Sequence, residues 1–131
     1  MNHPKVVQQW HKLVETKDLD LLDKMLAEEV VFYSPVVWTP QKGKWLTTMY
    51  LGAAAHVFIN DTFKYVREVI GPNDAILEFQ TEIDGVVIEG VDMLHWNDEG
   101  LLTNVKVMVR PLKAIQKIHQ KMGEMLENMQ G

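Results

Sequence analysis

Glu89-Gly90-Val91-Asp92-Met93-Leu94-His95-Trp96-Asn97-Asp98-Glu99-Gly100 reads as a strand running into a tight turn. The last four residues are turn chemistry, with Asn and Asp early and Gly at the end. A second strand resumes at Leu101 and continues to Val109, so the two arms form a long hairpin. Alternation along the first arm puts Asp92 on one face with Ile88, Leu94 and Trp96. A carboxyl group on an otherwise apolar face is costly unless it is hydrogen-bonded or protonated. The rest of the chain therefore reads as a box built around Asp92.

Upstream of the hairpin the pattern also has period two. Phe63 to Ile70 predicts a strand, Gly71-Pro72-Asn73-Asp74 a turn, and Ala75 to Ile83 a second strand. In that strand Leu77, Phe79, Thr81 and Ile83 face one way and Glu78, Gln80 and Glu82 the other. Asp84-Gly85 is the strongest hairpin signal in the chain. Earlier still, Val30-Val31-Phe32-Tyr33-Ser34-Pro35 predicts a strand that stops at the proline. Val36 to Gly43 reads as a loop.

Helices fill the remaining stretches. Pro4 opens the first, with Val6, Val7, Trp10, Leu13 and Val14 at helical spacing. Asp18 N-caps a second, whose inner stripe is Leu21, Leu22, Met25 and Leu26. A third runs from Lys44 to Phe58, with Leu46, Met49, Tyr50, Ala53, Val57 and Phe58 as its apolar set. Pro111 opens a last helix with the stripe Leu112, Ile115, Ile118, His119, Met122, Met125, Leu126 and Met129. The order is α-α-β-α-β-β-β-β-α. It predicts an α+β fold, a curved mixed or antiparallel sheet with the N-terminal helices on its concave face and a C-terminal helix added.

Length and composition bound the function classes. The 131 residues make one domain, with residues 111–129 as a helical extension. A net charge of −5, with Lys and Arg scattered rather than clustered, argues against a nucleic-acid or anionic-membrane surface. The absence of Cys removes thiolate chemistry and zinc–cysteine sites. No apolar signal core opens the chain and no run approaches membrane-spanning length, so a cytoplasmic protein is expected. The five histidines form no pair at i, i+4, and neither a metal nor a cofactor is expected.

With Ser34-Pro35 closing the first strand and Gly90-Val91-Asp92 inside a late one, this order resembles the nuclear transport factor 2-like superfamily. That is the cone-shaped fold of ketosteroid isomerases, SnoaL-like cyclases, limonene-epoxide hydrolases and scytalone dehydratases. The likeness covers about residues 4 to 110. The resemblance implies a cavity between helices and sheet, and it assigns roles residue by residue. The isomerase's proton-shuttling aspartate precedes the strand-ending proline, where this chain has Ser34. Its oxyanion tyrosine lies on the first helix, where Trp10 stands. Its hydrogen-bond-donating aspartate corresponds to Asp92. Serine without a neighbouring base cannot remove a carbon-bound proton, and indole is a donor only. Isomerisation of the steroid kind is therefore disfavoured, and epoxide hydrolysis lacks an inward Arg partner for Asp92.

Asp92 and Ser34 are accordingly the candidate catalytic pair. Trp10, Phe32, Trp38, Tyr50, Phe58, Phe79, Trp96 and Val105 are candidates for the lining of a ligand pocket. Each has a plainer explanation. Asp92 can serve only to hold the cone together through Trp10, Ser34 or backbone, Ser34 can bond its own backbone, and each ring can be ordinary core. Trp38 is the strongest lining candidate, because a loop Trp beside Ser34-Pro35 is hard to explain by packing. The expected function is a pocket for a small apolar molecule, with proton-transfer chemistry (isomerisation, cyclisation or dehydration) if it is catalytic. The alternative is a non-catalytic binding or interaction module. A space of several hundred Å³ reaching Asp92 favours the first, and a cone filled by Trp10, Phe79 and Trp96 the second. The sheet face bearing Glu78, Gln80, Glu82, Val87, Glu89, Val91, Met93, His95, Met108 and Arg110 is too apolar for water alone, and a homodimer through it is expected.

Overall fold

The computed structural model describes the backbone of residues 4–130 and the side chains of residues 4–127. His3 and Met129 of the sequence reading lie outside those described side chains. The elements are α1 (Lys5–Thr16), α2 (Leu19–Met25), β1 (Leu26–Tyr33), β2 (Gln41–Lys42), α3 (Lys44–Phe58), β3 (Lys64–Ile70), β4 (Asp74–Ile83), β5 (Val86–Trp96), β6 (Leu102–Arg110) and α4 (Leu112–Gln130). The six strands form one sheet in the order β2-β1-β6-β5-β4-β3. β3 to β6 are an antiparallel meander, but β1 lies parallel to β6, so the sheet is mixed.

Local chemistry places the turns. Asp84 (φ 50°) and Gly85 (φ 80°) both take positive φ, as a two-residue hairpin turn with the right twist requires. Asn97 closes the next turn: its side-chain oxygen accepts from the Glu99 and Leu101 amides at 3.0 and 3.1 Å. Asp18 caps α2 by accepting from the Asp20 and Leu21 amides at 3.0 and 3.4 Å.

Two boundaries and one burial pattern differ from the sequence reading. β1 begins at Leu26, a residue whose spacing predicts the α2 stripe; parallel pairing with Leu102 pulls it into the sheet. Residues 41 and 42, within the stretch read as loop, pair with Phe32 and Val31 and pin the 34–40 segment at its base. On α3, Leu46, Met49, Tyr50 and Val57 are only half-buried, while Thr47, Leu51, Gly52, Ala53 and Phe58 are buried. The helix lies between sheet and helices, so burial surrounds more of it than one stripe. Close approach at Gly52 decides its rotation, because a Cβ there would meet Leu19 at 3.0 Å.

The core lies between the helices and the inner sheet face. Leu77, Phe79, Ile88, Leu94, Leu102 and Val105 meet Val7 and Trp10 of α1, Leu22 and Met25 of α2, and Phe58 of α3. α4 does not stand apart. Ala114, Ile118 and Met122 are buried in the same core, whereas Leu112 and His119 of the predicted stripe are exposed. Lys117 and Lys121 on α4 pair with Asp84 at 3.6 and 3.0 Å, tying the helix to the β4–β5 turn. Among the described residues, no helix is long and apolar enough to cross a membrane.

Candidate ligand site

Asp92 lies on the inner face of β5, paired across the ladder with Leu77 of β4 and Val107 of β6. It is buried, and its neighbours on that face are Ile88, Gly90, Leu94 and Trp96, all buried. The alternation anticipated from sequence therefore holds. What the sequence did not supply is its partner. Tyr65 of β3 donates its hydroxyl to Asp92 Oδ2 at 2.7 Å, and the Trp10 indole N–H donates to the same hydroxyl oxygen at 2.8 Å. Three groups from α1, β3 and β5 thus form one directed chain of hydrogen bonds ending on a carboxyl.

Burial raises the Asp92 pKa from its ordinary 3.8 to about 6, with the Tyr65 hydroxyl and the Trp10 indole opposing the rise. The Tyr65 hydroxyl is held well above the usual phenol value, first by burial and then by the charge of Asp92, so it stays a donor. Next to this chain the His11 ring meets Tyr65 edge-on, with centroids 5.4 Å apart, and His11 Nε2 lies 2.6 Å from Glu68 Oε1. Glu68 adds to the upward shift of Tyr65.

Tyr65 has a sequence signal of its own. A Tyr with its hydroxyl on the inner face of a strand has to find a partner, and Phe63 and Tyr65 share that face. The irregularity between Tyr65 and Arg67 hides it, because the bulge breaks alternation along β3 without a glycine to announce it.

Beside Asp92 lies a cavity of about 70 Å³. Its walls are Trp10, Leu13 and Val14 of α1, Leu51, Ala54, Ala55 and Phe58 of α3, Ile59, Phe63, and Tyr65, Phe79 and Val107 of the sheet. Phe79 stacks on Phe63 at 5.3 Å and meets Phe58 edge-on at 5.5 Å. Gly90 makes room for that ring: a Cβ there would lie 2.6 Å from Phe79 Cζ and 2.8 Å from the Met108 carbonyl oxygen. Ala54 and Ala55 leave the opposite wall shallow. Among the described residues, those lining the cavity include no Lys, Arg or His. The carboxyl therefore faces an apolar, largely aromatic space. The volume is well below the several hundred Å³ that the ligand reading anticipated.

The predicted lining separates into parts. Trp10, Phe58 and Phe79 reach the Asp92 cavity. Phe32, Trp96 and Val105 are buried in the core, and Tyr50 packs on Phe32 at 6.2 Å; none of the four lines the cavity. Inner-face strand positions and core positions share one sequence pattern, so alternation could not tell them apart. Ser34 also stands away from the Asp92 cavity, and its Oγ accepts from the Val36 amide at 3.2 Å, the local bond open to any strand-end serine. Trp38 is 97 % exposed. Ser34 and Trp38 together border a separate groove of about 720 Å³ beside β6, which shares only Val107 with the cavity. Among the described residues, no group of three or more His, Asp or Glu side chains is placed to hold a metal ion.

No family model matches the sequence, nor does any curated protein at a significant level. Solved structures do. A steroid delta-isomerase from Pseudomonas aeruginosa is 30% identical with a TM-score of 0.89, over 95% of this chain and 90% of its own. The chain belongs to the nuclear transport factor 2-like superfamily. A bacterial protein described as having a cystatin-like fold, from Silicibacter pomeroyi DSS-3, is 28% identical with a TM-score of 0.85, over 92% of this chain and 84% of its own. More distantly, a Catenulispora acidiphila DSM 44928 protein with a ketosteroid isomerase-like fold, solved in complex with trimethylamine, is 12% identical with a TM-score of 0.63, over 87% of this chain and 91% of its own. As a nuclear transport factor 2-like chain, this protein has the open curved sheet and the inner cavity of that cone. At its cavity wall stands the Trp10–Tyr65–Asp92 chain.

Proposed function

We propose that the protein binds a small apolar carbonyl compound in the Asp92 cavity and moves a proton on it. One observation carries this reading: a buried carboxyl, accepting from the Tyr65 hydroxyl, opens on an aromatic-walled cavity whose lining, among the described residues, includes no Lys, Arg or His. A carboxylate in such a space is a stronger base than one in water, and near pH 6 it both takes up and releases a proton. In a β,γ-unsaturated ketone, Asp92 removes the proton between the carbonyl and the alkene. The electron pair moves onto the carbonyl oxygen, giving a dienolate. The same proton returns to the γ carbon, the double bond moves into conjugation and the carboxylate is restored. Once Asp92 is protonated, the Tyr65 hydroxyl is released to donate to the dienolate oxygen, and the Trp10 N–H polarises that hydroxyl. The likeness to the Pseudomonas aeruginosa steroid delta-isomerase supports this class of reaction, with Asp92 as the base in place of the Ser34 position that had disfavoured it. The test is the absorbance change as 3-cyclohexenone becomes 2-cyclohexenone. Turnover is expected to rise as pH passes 6 and to fall by ~10²–10⁴ in Asp92→Asn. Full activity in that variant would remove Asp92 from the chemistry.

A second reading, non-catalytic, rests on the same walls. Trp10, Phe58, Phe63, Tyr65 and Phe79 around the Asp92 carboxylate also suit a small alkylammonium cation. The trimethylamine complex of the Catenulispora acidiphila protein supports it. The two readings differ in sign. A bound ammonium favours the charged carboxylate and lowers the Asp92 pKa, whereas an uncharged ketone excludes water from the carboxyl and raises it. Carbon-13 NMR titration of Asp92 with trimethylammonium and with cyclohexanone separates them.

We propose further that two copies pair through the outer sheet face. Val87, Met108 and Ile76 are exposed there, beside half-buried Val91 and Met93. The ion pairs Arg67–Glu78 and Arg110–Glu89, at 2.8 and 3.1 Å, border them.

A further inference from the structure

We propose that the edge of β6 left uncovered beyond β1 docks an extended peptide of a partner protein as an added strand, apolar at alternate positions and acidic at the end beside Lys106. The site is independent of the Asp92 cavity.

The open edge follows from where β1 stops. Its last ladder pair with β6 is Tyr33 with Lys106. Pro35 has no N–H to give to a ladder, and the chain leaves the sheet there. β6 runs on through Val107, Met108, Val109 and Arg110, each paired with β5 on one side. Every second residue of a strand turns its N–H and C=O toward the same neighbour. Among the described residues, no strand meets those groups on the β1 side of residues 107–110, and no backbone hydrogen bond outside the ladders does so. Four residues of edge are roughly 13 Å long, enough for a short added strand.

The groove of about 720 Å³ lies along that edge. Lys106 and Met108 are exposed on the outer side of β6, whereas Val107 is buried and Val109 half-buried on the inner side. All four border the groove, so it follows the rim of the strand rather than either face of the sheet. A strand added in the plane of the sheet therefore leaves the outer face to the pairing of two copies. Residues 34–38 and 40 form the opposite wall, and that wall is braced. Ser34 Oγ accepts from the Val36 amide at 3.2 Å, and the Gln41 side-chain amide donates to the Thr39 carbonyl at 3.0 Å. Beyond it, the Gly43 amide donates to the Val30 carbonyl at 2.8 Å.

The lining chooses the occupant. Unpaired backbone groups call for another backbone, which a compact small molecule lacks. Pro35, Val36, Val37, Pro40 and Val109 supply apolar contacts for alternate side chains. Trp38, 97 % exposed at the rim, offers the largest uncovered ring. Lys106 is the one Lys, Arg, Asp, Glu or His among the lining residues, and it sits at the end where β1 stops. Its ammonium lies over the Tyr33 ring, 4.8 Å from the centroid. A carboxylate at the first residue of a strand running parallel to β6, as β1 does, meets that charge.

Isothermal titration calorimetry with the capped peptide acetyl-Asp-Val-Thr-Val-Thr-Val-amide tests this. Two further peptides carry N-methyl groups on alternate residues, one on the odd set and one on the even set. Strand addition uses the N–H groups of one set only, so one methylated peptide should bind like the parent and the other at least about tenfold more weakly. Trp38→Ala should weaken the parent peptide about tenfold, with urea unfolding unchanged because the indole is exposed. Exchanging the peptide's Asp for Asn should weaken binding to the wild-type protein and make no difference to Lys106→Ala. If both methylated peptides bind like the parent, the groove holds peptides by apolar contact and the added strand is refuted. No binding of the parent peptide at about 1 mM overturns the site. If the amides of residues 107–110 are protected from hydrogen exchange in a self-associated protein and exposed in the monomer, a second copy takes the edge, which also overturns it.

Discussion

Replacing Asp92 with Asn should make the folded protein more stable at neutral pH, and the size of the gain follows from the site. The carboxyl titrates at 3.8 when exposed and at about 6 in the folded chain. At ~1.4 kcal/mol per pH unit, that difference amounts to ~3 kcal/mol of destabilisation once the group is ionised. The sign follows from proton counting. Between pH 3.8 and 6 the folded state holds the proton and the unfolded state has lost it, so stability falls as pH rises through that window. Below 3.8 the penalty is absent, and above 6 it is constant. Asn cannot ionise, and its side-chain oxygen still accepts from the Tyr65 hydroxyl. The assay is urea unfolding of both proteins at pH 4, 5, 6, 7 and 8. Subtracting one from the other removes the opposite contributions of Glu89, held low by its hydrogen bond from Arg110, and Asp84, held low by Lys121. The difference should grow in favour of Asn by ~2.5 kcal/mol between pH 4 and 7 and then level off. A difference that stays flat over this range would refute desolvation as the state of Asp92.

Other expectations are narrower. Tyr65→Phe removes the one hydroxyl donor to Asp92, which should push the carboxyl pKa above 6 and shift any pH–rate profile the same way; an unmoved profile would separate Tyr65 from the chemistry. Gly90→Ala drives a Cβ into Phe79 and the Met108 carbonyl, so it should cost ~1–3 kcal/mol in urea unfolding and abolish calorimetric ligand binding as the ring is displaced. Asp18→Ala loses the α2 cap and should cost ~1 kcal/mol by the same unfolding assay, with the site unchanged. Val91→Lys places a charge in the proposed interface and should convert a dimer to a monomer by light scattering; a wild-type protein that is already monomeric at micromolar concentration would sink the interface itself.

Much of the architecture follows from local signals that need no partner. Asp84-Gly85 demands a hairpin wherever it sits, Asn97 to Gly100 closes its own turn, and Asp18 caps its own helix. Period-two alternation put Leu77, Phe79 and Asp92 on the buried face, because one face of an antiparallel pair must meet the core. Long-range contacts decided the rest. The parallel pairing of Leu26 with Leu102 moved a helical-looking residue into a strand, since partners 76 positions away lie beyond any local pattern. The close contact of Gly52 with Leu19 set the rotation of α3. At the site, sequence alone identified a carboxyl stranded among apolar side chains. Only the tertiary structure brought Tyr65 to it, because the β3 bulge that aims the hydroxyl leaves no trace in composition. It also placed Ser34 and Trp38 on the far side of Val107. Chain proximity keeps Ser34, Pro35 and Trp38 together, but where β1 ends against β6 determines which space they face.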